Sequence, residues 1–139
     1  MREILFRGKR ADNGEWIEGL PIEYSGNTYI MELTDFEEDR AYGYAPHKEL
    51  WSHVVTSETV GQYTGLKDKN EKRIFEGDII LAGYYKWKCK VVWDAKCARF
   101  IGLTNDKDVK IVYVDMVDKN NESAVEIIGN IHDKEGKKI

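Results

Sequence analysis

Glu76-Gly77-Asp78 is the best-defined polar grouping in the chain, two carboxylates on either side of a glycine. Such a pair can orient a proton or a ligand. A glycine there also permits a tight turn or bulge, with the aspartate accepting nearby backbone N–H groups, and that local role is the expected one. A second constellation is basic. Lys86, Lys88 and Lys90 recur at every other position, Arg99 follows on the next strand-like run, and Tyr84 and Tyr85 precede them. Lysines with aromatics beside them would track phosphates and stack bases. The same lysines would keep a strand face wet and discourage edge pairing, and the solvated face is preferred.

Other reactive patterns are weaker. His47, His53 and His132 form no His-x-x-x-His pair, and there is no Cys-x-x-Cys. Asp35, Glu37, Glu38 and Asp39 could collect a divalent cation, but without convergent spacing they read as a solvated loop. The segment from Asp68 begins like a calcium loop, yet Lys72 and Ile79 stand where carboxylates belong. No G-x-S-x-G elbow and no phosphate-binding G-x-x-x-x-G-K-[ST] occurs. Asn121-Glu122-Ser123 matches a glycosylation sequon and reads as a turn. No catalytic residue, metal ligand or cofactor is expected. An enzyme would need a site assembled from separated residues such as Glu76, Asp78 and His132.

These residues sit in a chain of 139 residues, enough for a single domain with an apolar interior. Hydrophobic residues make up 42% and charged residues 33%, as in ordinary globular proteins. The net charge of −4 argues against non-specific binding to phosphate backbones, although a local basic stripe is compatible with it. No apolar run is long enough to span a membrane, and MREILFRGKR lacks the apolar core of a signal peptide. The expected compartment is the cytoplasm, where two cysteines are most simply free thiols.

Turn signals every 8 to 12 residues and the lack of a helical period predict a mainly β fold, a barrel or a sandwich. Glu3–Arg7 and Trp16–Leu20 flank Asn13-Gly14, a strong hairpin signal. Ser25-Gly26-Asn27 separates Ile22–Tyr24 from Thr28–Leu33. Residues 34–58 read as a loop with one helical turn at His47–His53. Further strands are expected at Thr59–Thr64, Ile79–Ala82, Tyr84–Trp93, Ala98–Leu103, Val109–Val117 and Val125–His132. The runs 6–19 and 63–77 share an aromatic-x-Gly start, an asparagine seven positions later and a Glu-Gly close; recurrence of one hairpin solution explains this as well as duplication does.

One hairpin can be worked out in detail. Period two puts Trp87, Cys89, Val91 and Trp93 on one face and the lysines on the other. A connection at Asp94–Cys97 would pair Trp93 with Ala98, Val91 with Phe100 and Cys89 with Gly102. A one-residue slip would set Val91 against Arg99 and bring a guanidinium into the core. Cys89 is then a small core residue, too far from Cys97 for a disulfide.

"VGQYTGLKDKNEKRIFEGDII" (60–80), "REILFRGK" followed by "GEWIEG", and "EIIGNIHD" together resemble the YopX family of small phage and prophage proteins. The resemblance covers nearly the whole chain. It implies a mainly β domain over 1–139, with an N-terminal meander and loop at 1–58 and an SH3-like barrel or roll at 59–139 carrying at most one or two short helices. It also implies a phage-derived origin in a bacterial host, and supplies no catalytic residues. The chain departs from the family at its end, where Asp133 leads into KEGKKI in place of an Asn-Pro-Glu-Leu-Leu ending. Two functions follow as expectations. One is a non-enzymatic binding module acting on a host or phage protein. The other is a nucleic-acid accessory protein using Lys86, Lys88, Lys90, Arg99, Tyr84 and Tyr85. Exposed edge strands leave homo-oligomers open.

Overall fold

The computed structural model describes residues 3–32, 36–39, 43–46, 53–105 and 111–133, the strands at 36–39 and 43–46 by their backbone pairing. The chain divides into two compact units, with the change at Gln62–Tyr63.

In the first unit, β1 (Phe6–Lys9), β2 (Trp16–Tyr24), β3 (Asn27–Met31) and β6 (Val54–Val55) lie in the order β6-β3-β2-β1. Gly61 and Gln62, at the start of β7 (Gly61–Lys67), pair with β1. Ser25 and Gly26 both take positive φ, 53° and 83°, which gives the β2–β3 hairpin a two-residue turn of the twist that strands prefer. The β1–β2 connection is longer than Asn13-Gly14 suggests. Arg10 N–H donates to the Glu15 carbonyl, and within Asn13-Gly14 Gly14 alone has positive φ. β2 also runs unbroken through Pro21, pairing with Ile30, where two short strands were expected. Gly19 has a steric reason: a Cβ there would stand 2.3 Å from the Met31 carbonyl oxygen. Between 34 and 58 the expected loop contains a hairpin, β4 (Phe36–Asp39) against β5 (Gly43–Pro46). The side chains of Asp35, Glu37, Glu38 and Asp39, and the helical turn from His47, lie outside the described residues.

In the second unit β7 continues to pair with β8 (Arg73–Phe75), with a register shift between Tyr63 and Lys67 where Gly65 takes φ 88°. Then β9 (Asp78–Ala82), β10 (Trp87–Asp94), β11 (Arg99–Leu103), β12 (Ile111–Tyr113) and β13 (Val125–Asn130) form an antiparallel sheet in the order β12-β11-β10-β9-β13. The expected alternation explains the core: Ile80 and Ala82 from β9, Cys89 and Val91 from β10, and Val112 and Val125 are buried together, with Trp87 and Phe100 packed on them. The chain is mainly β, and this sheet ends in β12 and β13 without closing on itself. Among the described residues, no helix is long and apolar enough to cross a membrane.

The β10–β11 register differs from the expected one. Trp93 pairs with Phe100, Val91 with Gly102 and Asp94 with Arg99, so the connection is Ala95–Ala98, one residue later. Ala98 takes φ 52° to make this possible. The shift moves each pairing by two positions, so the alternation of faces is kept, but Trp93, expected on the core face, is 47% exposed and rests against Phe100. Gly102 still lies beside the thiol, now diagonally: a Cβ on it would stand 2.8 Å from Cys89 Cβ. The expected strand from Tyr84 also begins later. Gly83 (φ 76°) and Lys86 (φ 52°) fold residues 83–86 into a turn, so Tyr84 and Tyr85 lie before β10 and not on it. Cys89 and Cys97 are both free.

Candidate binding surface

The polar residues that looked most like a reactive site hold the second unit together. Gly77, at φ 91°, donates its N–H to the Val91 carbonyl and accepts from Ile131 N–H. Asp78 is buried; Oδ2 accepts Phe75 N–H at 2.8 Å and Oδ1 accepts Asn130 Nδ2–H at 3.0 Å. Asn130 Oδ1 in turn accepts His132 N–H at 2.9 Å, and Asp133 Oδ2 accepts Asn130 N–H. Both oxygens of Asp78 are thus engaged on buried donors, where a general base needs an oxygen facing the substrate. Asp68 is likewise buried, and its carboxylate accepts N–H groups from Asn70, Lys72 and Ile127. No group of three or more potential metal-ligating side chains occurs among the described residues. Burial pushes the Cys89 thiol from 9.0 up to about 11, keeping it protonated near neutral pH.

The basic and aromatic residues lie elsewhere, around the β9–β10 turn. Tyr84 and Tyr85 are 92% and 74% exposed. Their rings meet edge to face at 5.3 Å, and Tyr85 also rests against Trp87 at 5.3 Å. Trp87 packs on the core, so the exposed pair has a rigid base. Lys88 and Lys90 are exposed on β10. Lys86, Lys88, Lys90 and Tyr85 line one groove of about 650 Å³ with Trp87 and Leu103. Arg99 is not with them. It pairs with Asp94, about 13 Å along β10 from Lys90 at roughly 3.3 Å per residue. Its guanidinium lies over the Tyr113 ring at 4.3 Å and 3.8 Å from Asp115.

Tyr84 lines a second, larger groove of about 960 Å³, again with Lys86 and now with Lys69 and Lys119. Neither Lys69 nor Lys119 belongs to the basic constellation expected from sequence. Their common setting was nonetheless visible, since Asp68-Lys69-Asn70 and Asp118-Lys119-Asn120 repeat the same three residues. The groove is electrically mixed, because Asp118, Glu122 and Glu126 line it too and Lys69 pairs with Glu126 at 3.0 Å. Among the described residues, no carboxylate lines the smaller groove.

The family model described as YopX protein matches residues 5–136. The chain belongs to the YopX family. No curated protein matches it. Among solved structures, the crystal structure of protein EF1440 from Enterococcus faecalis is similar over 95% of each chain, at 24% identity and a TM-score of 0.53, a likeness of fold alone. The motifs by which the chain resembles YopX proteins now have a physical account. "KDKNEKRIFEGDII" contributes Asp68, Gly77 and Asp78, and "EIIGNIHD" contributes Asn130 and Asp133, all engaged in the hydrogen bonds above. The KEGKKI end of this YopX chain lies outside the described residues.

Proposed function

We propose that the protein is a non-enzymatic binding module of phage or prophage origin. It acts in the cytoplasm of the bacterial host and engages a host or phage protein through the β9–β10 turn. In this reading the second unit is an SH3-like roll that presents the turn. The observation behind it is the pair of tyrosines, 92% and 74% exposed, on the rigid Trp87 base. Tyrosine supplies large contact area at small entropic cost and is enriched among residues that dominate interfaces. The engagement of Asp68, Asp78 and Asn130 in backbone and side-chain hydrogen bonds supports a structural role for the polar motifs.

Affinity capture from infected and uninfected bacterial lysate tests this with the wild-type chain beside Tyr84→Ala/Tyr85→Ala. A stoichiometric partner held by the wild type and lost from the variant is the expected result. Repeated recovery of nothing, or equal recovery by the variant, would sink the proposal. A second reading, single-stranded nucleic acid, draws on the three lysines that share one groove. It predicts a mobility shift at low salt that fades steeply as salt rises.

A further inference from the structure

The two grooves beside the turn share Lys86 but differ in charge. The larger one holds both signs of charge: Lys69 is paired with Glu126, and Asp118 Oδ1 accepts the N–H groups of Asn120 and Glu122. In the smaller one Lys86, Lys88 and Lys90 stand together, with no carboxylate among the described residues that line it, in a chain whose net charge is −4. Its lining is mixed, with Tyr85, Trp87, Ile79, Leu103 and Ile131 as its large apolar residues and Thr104 and Asn105 beside them.

The backbone adds a second property. β11 ends at Leu103, opposite Lys90, and Thr104 and Asn105 leave the ladder. Trp87, Lys88 and Cys89 pair with β9 on one side, and among the described residues no strand pairs with Lys88 and Cys89 on the other. Among the described residues the groove therefore runs along a short strand edge without a neighbouring strand, the kind of site where an extended peptide adds main-chain hydrogen bonds.

We infer that the docking segment of the partner is an acidic, extended peptide with carboxylates alternating with apolar side chains, lying along Trp87–Lys90. This rests on the protein-binding reading above and names the chemistry of its partner. In an extended segment alternate side chains point the same way, so carboxylates would meet lysines spaced by the same period of two while the intervening residues meet the apolar residues of the lining. A nucleic acid matches the groove less well. It cannot pair with a strand edge, and the rings of Tyr84 and Tyr85 meet edge to face, not as parallel platforms for successive bases. Arg99, which would extend a phosphate track, stands apart over Tyr113.

Fluorescence anisotropy with the full chain tests the inference, using a labelled peptide of alternating glutamate and valine as probe. Glutamine-for-glutamate and backbone N-methylated versions of the peptide and an oligothymidylate serve as comparisons. Saturable binding of the acidic peptide is expected, weakened about tenfold by Lys88→Glu/Lys90→Glu and by the glutamine version, and weakened also by N-methylation. Lys88→Gln/Lys90→Gln, with circular dichroism on each variant, guards against misfolding and should weaken binding in the same direction. Absence of saturable binding, indifference to charge reversal or to N-methylation, or tighter binding of the oligothymidylate would each overturn it. If the peptide fails while Tyr84/Tyr85-dependent capture of a partner persists, the acidic segment falls and the binding module stands. If capture fails too, both fall.

Discussion

Residues 68–72 and 118–122, DKNEK and DKNNE, close with the same hydrogen bonds in opposite surroundings. In each, the aspartate Oδ1 accepts the N–H groups two and four residues on, at 2.9 and 3.0 Å in the first loop and 2.8 and 3.1 Å in the second. In each, the aspartate N–H donates to the carbonyl four residues on, and its own carbonyl accepts the N–H three residues on. Both put their fourth residue in the left-handed region, Glu71 at φ 65° and Asn121 at φ 62°. Yet Asp68 is 2% exposed and Asp118 stands in solvent. The first loop is also tied to β13: Asp68 Oδ2 accepts Ile127 N–H at 3.0 Å, and Lys69 N–H donates to the Val125 carbonyl at 2.8 Å. Local sequence therefore sets the shape of such a loop, and a distant strand sets its weight in the fold.

The largest expected effect tests that weight. Asp68→Ala removes an acceptor from three backbone N–H groups, one of them on β13, and should cost about 3 kcal/mol of stability in a chemical denaturation curve. Asp68→Asn keeps an oxygen for Asn70 and Lys72 but turns an NH2 group toward the Ile127 N–H. It should cost about 2 kcal/mol, because donor then faces donor. If Asp68→Ala cost no more than the same change at Asp118, burial would not be what separates the loops.

How much of this was legible in sequence follows the same division between local and distant. The period-two alternation from Trp87 to Trp93 placed Cys89 and Val91 inside and Lys88 and Lys90 outside, because strand geometry alone dictates it. The register was two positions off because it depends on Ala98 entering the left-handed region, which Lys96-Cys97-Ala98 does not advertise. The β propensity of Tyr84 and Tyr85 favours a strand there, and Gly83 is the turn signal that outweighs it. The local role of Gly77 and Asp78 was readable, since glycine followed by aspartate is itself turn chemistry. Burial of Asp68 was not, because its third partner lies 59 residues away. The groove at Lys86, Lys88 and Lys90 lay beyond reach for a similar reason, since its strand edge depends on where β11 stops.

Relieving backbone strain sharpens the comparison from the other side. A non-glycine residue in the left-handed region pays roughly 1–2 kcal/mol, and Glu71 has no β-carbon-free alternative there. Glu71→Gly removes that strain but gives the unfolded chain more freedom, which offsets roughly 0.4–1 kcal/mol. A net gain of about 0.5–1 kcal/mol is expected, visible as a raised thermal midpoint. Asp118→Ala should then cost about 0.5–1 kcal/mol, since water can replace the carboxylate at the exposed N–H groups of Asn120 and Glu122.

Asn121→Gly should give the smallest effect, within about 0.3 kcal/mol of zero. Asparagine visits the left-handed region more readily than glutamate because its short amide can bond locally, so there is less strain to remove. The added freedom of glycine in the unfolded chain then cancels most of the gain. The two glycine substitutions form a clean pair, because both loops have the same backbone and the same internal hydrogen bonds. A gain at Asn121 matching that at Glu71 would mean that residue type at the left-handed position matters little and that the gain comes from loop flexibility. A gain confined to Glu71 would show that the strain belongs to glutamate in the left-handed region, which asparagine occupies at less cost.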